Sequence, residues 1–326
     1  MITNGYETIK KFPEWNDIEI KELAGYKNYN FLIKSKRGKF VFKMYPFDVA
    51  TSRFLEAETG ILLNLNKEAG GFYPLPIPLD GSAYIKSAVI NGQKYLCRIL
   101  TFLEGEFIGK LPLTAKLMSS FGNFLAKLDL KLIKIENTTI KSVVNEWDIQ
   151  HLSLNEKLFK YIGDPDNRKT VEYFYNAFFK YAYPYLEKLP KQIIHNDANE
   201  WNTLTKNGMV SSIIDFGDMV YSQRINEAAI AIAYSCFNTD EPLKRATDLI
   251  KSYHEIFPLN RTETKILYYL IAARLITSVS HSAYSKKSEP DNSHRFISEK
   301  PAWRLLYKLK EIEPDQAADQ FERALF

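Results

Sequence analysis

Eight residues, HNDANEWN at 195–202, bring a histidine, two acids and three asparagines together directly after the apolar run Gln192-Ile193-Ile194. His195, Asp197 and Asn202 form H-x-D-x-x-x-x-N, and Ile213-Ile214-Asp215-Phe216-Gly217 follows one short hairpin later. Together these residue types suit phosphoryl transfer. Moving a γ-phosphoryl group from ATP to a hydroxyl needs an acceptor for the hydroxyl proton and a Mg²⁺ held against the phosphate oxygens. Asp197 suits the first task. Asn202 offers an amide oxygen and Asp215 a carboxylate, hard oxygen ligands of the kind Mg²⁺ takes beside phosphates and water. His195 is expected to brace the loop by hydrogen bonds and not to react. Taken alone, Asp197, Asn199 and Asn202 could be turn residues folded onto their own backbone; the second motif and a suitably placed lysine weigh against that.

The lysine is Lys43, at the end of the strand-like run KFVFKMY, from which it would project toward the α- and β-phosphates. Glu58 on the next helix is the expected partner of Lys43, with Glu56 half a turn away as the alternative. Residues 17–45 read as strand, loop, strand, turn, strand. A helix over Thr51–Leu65 follows, then two strand-like runs around Asn91-Gly92, a strong hairpin signal. Residues 1–103 are therefore expected to form a small antiparallel sheet with one helix, a nucleotide-binding lobe. From 104 to 326 long amphipathic runs at 113–131, 169–188, 223–237, 241–256, 261–285 and 299–312 predict a mainly helical catalytic and substrate-binding lobe, α+β overall. Asn260 and Glu263 look like a capping box. Asn207-Gly208 marks a small hairpin within 193–216, and Ser285–Asn292 is the expected mobile loop.

Composition narrows the class. Over 326 residues, 45% are apolar and 25% charged, as in an ordinary globular chain. A net charge of +4, with Lys and Arg interspersed among acids, gives no basic stripe for nucleic acid. Cys97 and Cys236 stand far apart and suggest neither a disulfide framework nor a CxxC metal site. No apolar run has the length of a membrane helix and the start lacks a signal-peptide core, so no membrane association and a cytoplasmic location are expected. Composition says nothing of oligomeric state.

On the quoted motifs the chain resembles the aminoglycoside phosphotransferase and choline kinase superfamily, with its protein-kinase-like bilobal fold. YNF at 29–31, HNDANEWN, IIDFGDMVYSQR with Glu227-Ala228-Ala229, and ISEKPAW at 297–303 are similar to hydroxylysine kinases and to the kinase-like domain fused to class III aminotransferases. The resemblance implies ATP and Mg²⁺ as cofactors, Lys43 on phosphates with Glu58 beside it, Asp197 as base, and Asn202 and Asp215 on the metal. It also implies a nucleotide lid in AGYKNYNF, with Asn30 among the nucleotide-binding residues. Backbone from about Leu100 to Leu103 is expected to hydrogen-bond adenine, though a buried strand leading to a linker predicts the same letters. Many relatives have Gly where this chain has Asn196, and Glu227 replaces a commoner Asp.

The acceptor implied is small. Protein kinases place Arg after the catalytic-loop His, where this chain has Asn196, and between Asp215 and Glu227 there is no A-P-E and little room for an activation segment. Asp218, Glu227, Trp201, Tyr221 and Trp147 could line a pocket whose carboxylates and aromatic faces hold an amine beside the acceptor hydroxyl. Equally, Asp218 could cap the turn, Glu227 anchor the loop to Arg224, and the tryptophans fill core. Asn199 and Glu200, beside the base, are better placed to touch acceptor or phosphate. An amino alcohol or hydroxy amino acid such as hydroxylysine is the expected acceptor, with an antibiotic kinase or a catalytically silent kinase-fold binding protein as alternatives. Arg274, Ser278 and His281 share a helix face that is expected to be a packing or solvent stripe.

Overall fold

In the computed structural model, the residues described are 2–12, 15, 17–23, 25, 28–68, 70–289, 296 and 298–326. They fall into two compact units, Met1–Glu104 with Ser212–Gly217, and Gly105–Ser211 with Asp218–Phe326. The sequence reading leaves Ser212–Gly217 in the second part; in the structure this segment folds with the first.

The first unit runs α1 (Ile2–Ile9), β1 (Ile18–Leu23), β2 (Tyr29–Ser35), β3 (Gly38–Pro46), α2 (Val49–Leu65), β4 (Pro76–Ile77), β5 (Ile85–Ile90) and β6 (Gln93–Thr101). Its sheet is antiparallel, ordered β1-β2-β3-β6-β4, with β5 on β6. Alternation along β3 sends Phe40, Phe42 and Met44 into a core shared with Phe31, Ile33, Ile99 and Trp15. Lys43 therefore belongs to the other face, directly across from Arg98 on β6. On α2, Leu55, Glu58, Leu62 and Leu65 are all buried at helical spacing, so Glu58 stands within an apolar stripe. Asp48 caps that helix by accepting the Ala50 and Thr51 N–H groups. At the tip between β5 and β6, Asn91 and Gly92 have φ of 50° and 79°, the two positive values a type I′ turn requires. The returning segment is held within this unit, where the Ile213 N–H donates to the Phe72 carbonyl at 3.2 Å and Phe216 meets Tyr73 edge-on.

The second unit is mainly helical: β7 (Glu106–Phe107), α3 (Ala115–Leu132), α4 (Thr138–Lys141), a kinked 3₁₀ stretch at Ile149–Tyr161, α5 (Pro165–Tyr181) and α6 (Tyr183–Leu186). Then come β8 (Lys191–Ile194), β9 (Thr203–Lys206), β10 (Met209–Ile213), whose last two residues belong to the first unit, and β11 (Val220–Gln223). The chain closes with α7 (Ile225–Ser235), α8 (Pro242–Ile256), α9 (Arg261–Ser288), α10 (Glu299–Lys310) and α11 (Pro314–Leu325). Every residue of α7 is buried, and α9 packs against α5, α7, α10 and α11 and against the 3₁₀ stretch. The Asn260–Glu263 capping box that starts α9 is formed in full. Residues 285–288, expected in a mobile loop, are helical instead, since α9 runs on to Ser288; 290–292 lie outside the described residues. β8 pairs with β11 so that Ile194 faces Val220, which sets the start of the 195–202 loop beside Asp218.

Candidate active site

In the first unit Lys43 is buried and its ammonium lies 2.9 Å from Asp215 Oδ1. Burial opposes the charge, but Asp215, with help from Tyr45 and Glu58, outweighs it and holds Lys43 protonated, its pKa raised. Asp215 is half exposed and has φ of 64°, a left-handed backbone that Asp tolerates better than most residues. The expected Lys43–Glu58 contact is not formed. Glu58 Oε1 accepts from Arg98 Nη2 at 2.7 Å and its Oε2 has no hydrogen-bond partner. Arg98 also donates to the Tyr45 hydroxyl from Nε and Nη2, at 3.1 and 2.7 Å. Glu56 is exposed, so of the two candidate acids only Glu58 reaches the interior. Asn30 sits opposite Lys43 in the β2–β3 ladder. The loop before it lies partly outside the described residues, which include neither Ala24 nor Tyr26 and Lys27.

The stretch expected to meet adenine is partly committed. Leu100 is buried in the ladder with Val41 and Pro76. The Thr101 N–H donates to the Leu75 carbonyl at 2.9 Å and the Phe102 N–H to the Lys39 carbonyl at 3.1 Å. Leu103, partly exposed and just beyond β6, is the position of this stretch left outside those bonds.

In the second unit the 195–202 loop folds around Asp197. The Asp197 N–H donates to His195 Nδ1 at 3.2 Å, the bracing bond expected of a histidine that is itself fully buried. Asn199 Oδ1 accepts the N–H groups of Trp201 and Asn202 at 2.8 and 3.0 Å, an Asx turn, and its Nδ2 donates to Asp197 Oδ1 at 3.0 Å. Asn202 Nδ2 donates to Asp197 Oδ2 at 2.6 Å and to the Asp197 carbonyl at 3.0 Å, which leaves Oδ1 as its oxygen for a cation. Asn196, with φ of 65°, carries the chain through a left-handed step, a backbone that Gly would adopt without strain. Arg274, expected to lie in a packing or solvent stripe, instead donates from Nη2 to Asp197 Oδ1 at 2.9 Å and is 1% exposed.

The residues expected to receive the acceptor divide. Glu227 is fully buried and cannot line a pocket; its Oε2 accepts the Asn196 N–H at 3.1 Å, and it also takes a backbone bond from His195. Nor does it pair with Arg224, which forms a bidentate pair with Glu263 at 2.8 Å. Burial pushes the Glu227 carboxyl up to about 7. Asp218 accepts from Asn145 Nδ2 at 3.1 Å, while its carbonyl accepts from Asn196 Nδ2, also at 3.1 Å. Tyr221 is partly exposed and already has the Lys141 ammonium 5.1 Å from its ring centroid. Trp201 meets Phe107 edge-on at 5.9 Å. Glu200 lies within the same loop. Its Oε1 accepts from the Ser298 hydroxyl at 2.9 Å, its Oε2 is shielded without a partner, and burial pushes its pKa up to about 7. A cavity of about 410 Å³ in this unit, bordered by Tyr161, Asp164, Lys286, Lys287, Glu299 and Trp303, includes none of these residues.

A sheet-and-helix unit carrying the lysine and the DFG-type aspartate, and a helical unit carrying H-x-D-x-x-x-x-N, together define a kinase of small molecules with the bilobal protein-kinase-like fold. A model of the phosphotransferase enzyme family matches residues 19–255, and the chain belongs to that family. It is 28% identical to the hydroxylysine kinase of Bos taurus over 79% of this chain and 73% of that one, and 26% identical to that of Mus musculus over 89% and 84%. Among solved structures, a microcompartment-associated aminopropanol kinase covers 98% of the chain, and 99% of its own, at a TM-score of 0.74 and 12% identity. The GDP complex of an aminoglycoside 2′-phosphotransferase-IIIa mutant covers 94% and 96% at 0.65 and 16% identity. Among the described residues, no helix is long and apolar enough to cross a membrane.

Proposed function

We propose that this chain transfers the γ-phosphoryl group of ATP to a hydroxyl of a small amine-bearing metabolite, a hydroxy amino acid such as hydroxylysine or an amino alcohol. The observation that carries this reading is the Asp197 carboxylate, partly exposed at 20% and fixed on both oxygens by Asn199, Asn202 and Arg274. A carboxylate so held has the orientation and charge of a general base for a hydroxyl. In the first unit, Lys43 would bind phosphate oxygens, with Glu58 buried behind it on Arg98, and Leu103 would offer backbone to adenine. Asn30, beside Lys43 in the sheet, is assigned to the nucleotide, and Leu100 to the apolar surface under it.

Each proposed donor, taken in its own unit, is of a type that suits Mg²⁺. Asp215 supplies a half-exposed carboxylate and Asn202 a free amide oxygen, both hard ligands, and the ion when bound would neutralise charge on the phosphates. Lys43 would then exchange Asp215 for phosphate. Asn199 spends both ends of its amide on the loop, so its role is to shape the turn. Glu227 acts behind the loop, and Asp218, Trp201 and Tyr221 are assigned to its rim.

Glu200 supports an amine on the acceptor. Among the described residues its carboxyl forms no ion pair, with Arg274 acting on it only as a neighbouring charge, and a substrate ammonium would supply a partner and lower the pKa that burial has raised. Glu200→Gln is expected to raise KM for an amine-bearing acceptor about tenfold or more, with KM for ATP unchanged, as measured by steady-state kinetics. An unchanged acceptor KM would remove Glu200 from this role.

A further inference from the structure

A guanidinium at 1% exposure is costly unless its hydrogen bonds and charge are matched. Arg274 matches them on three sides. Nε donates to the Tyr234 hydroxyl at 3.2 Å, Nη1 to the Trp147 carbonyl at 2.8 Å and Nη2 to Asp197 Oδ1 at 2.9 Å. Its guanidinium carbon lies 4.9 Å from the Trp147 ring centroid and 5.4 Å from that of Tyr234. Trp147 is itself stacked on His281 at 4.4 Å and 19°, and His281 Nε2 shares a hydrogen bond with Asn155 Oδ1 at 2.9 Å. Arg274 and His281, two turns apart on α9, thus both lie against one indole. The cation cannot swing away without breaking bonds to α7, to the Trp147 backbone and to the loop at once.

Of these contacts only Asp197 bears a full opposite charge. Titratable groups near the pair include His195 and Glu200 on the loop, Asp218, and Glu227 and Tyr234 on α7. Arg274 is a fixed cation paired with this carboxylate. Asn202 holds the second oxygen, so the carboxylate is gripped from two elements.

We propose that Arg274 is a positioning residue for phosphoryl transfer: held by Tyr234 and Trp147, it fixes the Asp197 carboxylate in one orientation. The inference rests on the phosphotransferase reading for its kinetic consequence, but not for its geometric one. In the step concerned, the acceptor O–H bond breaks and its proton passes to Asp197. The acceptor oxygen bonds to the γ-phosphorus, and the bond from γ-phosphorus to the β–γ bridging oxygen breaks, leaving ADP. A loosened Asp197 accepts that proton less often in the productive geometry. Lysine at 274 would restore the charge but not the three-way fork.

Two measurements on the full chain test this. The first needs no substrate: a double-mutant cycle of urea unfolding on the parent, Arg274→Gln, Asp197→Asn and the double variant. Arg274→Gln should lower the urea midpoint by less in the Asp197→Asn background than in the parent, with Arg274→Lys replacing it in the cycle if the glutamine variant folds poorly. Equal midpoint losses in the two backgrounds overturn the proposal. The second is steady-state kinetics with an amine-bearing acceptor. Arg274→Gln should lower kcat by on the order of 10²-fold while KM for ATP stays put, with partial recovery in Arg274→Lys. In an Asp197→Asn background the same substitution should cost little more, because the two act as one unit. Full additivity, or an unchanged kcat, overturns it. If the parent phosphorylates no acceptor, the functional reading fails by itself and the unfolding cycle still decides whether Arg274 holds Asp197.

Discussion

Glu227 shows how one buried acid can serve a catalytic loop without touching a ligand. Its Oε2 accepts the N–H of Asn196, whose left-handed backbone turns the chain toward Asp197. Burial raises its pKa to about 7 from an ordinary 4.5. The unfolded chain therefore loses this proton first, and between about pH 4.5 and 7 the folded state binds more protons. Stability contributed by this group is full below that window and falls as pH rises through it. Glu227→Gln keeps an acceptor oxygen for Asn196 but has no proton to lose. Urea unfolding at about pH 5 and again above pH 7 should show the parent losing more stability than the variant over that interval. Equal losses would mean that Glu227 is not the buried acid it is taken to be. That an acid at 227 matters could be read from the sequence, but not its direction, because a glutamate near the start of a helix can equally face a pocket.

At the level of elements, the tie between α2 and β6 is the clearest test. Arg98 and Glu58 are at most 2% exposed and 2.7 Å apart, with Tyr45 completing the cluster. Removing one partner leaves a buried, uncompensated charge, so Arg98→Met should destabilise the protein by roughly 3–5 kcal/mol, whereas the double change with Glu58→Met should recover much of that. Denaturant melts of the two singles and the double measure it; a single variant as stable as the parent would refute the pairing. Neither arginine of the candidate site was legible as functional. Each leaves the same trace, a lone cation inside an apolar run: Leu96-Cys97-Arg98-Ile99-Leu100 on β6 and Ala272-Ala273-Arg274-Leu275-Ile276 on α9. Such a residue must find a buried counter-charge, but sequence does not say which one. Turn and cap chemistry, being local, was read correctly at Asn91-Gly92 and at Asn260–Glu263. Less regular elements were missed. The kinked 3₁₀ stretch at Ile149–Tyr161 has no 3.6-residue period, and α1 is masked by Gly5, whose missing side chain makes room for Phe31.

Across the whole molecule, the two-part composition of the chain was visible in its periodicities, a strand-rich beginning and long helical runs thereafter. The membership of Ser212–Gly217 in the first unit was not, since a long-range return of the chain leaves no local pattern. The residues of H-x-D-x-x-x-x-N and of IIDFG are short-range motifs, so they were legible. Their partners Arg274 and Lys43 arrive from 77 and 172 residues away in the chain.

The measurement that bears most directly on the whole account is ADP formation from ATP and Mg²⁺ with and without hydroxylysine and simple amino alcohols, comparing the parent with Asp197→Asn. The account predicts acceptor-dependent ADP and phosphorylated product from the parent, and a rate lower by about 10²–10⁴-fold in the variant. Equal rates in the two proteins, or no acceptor-dependent turnover with any amine-bearing alcohol, would contradict it.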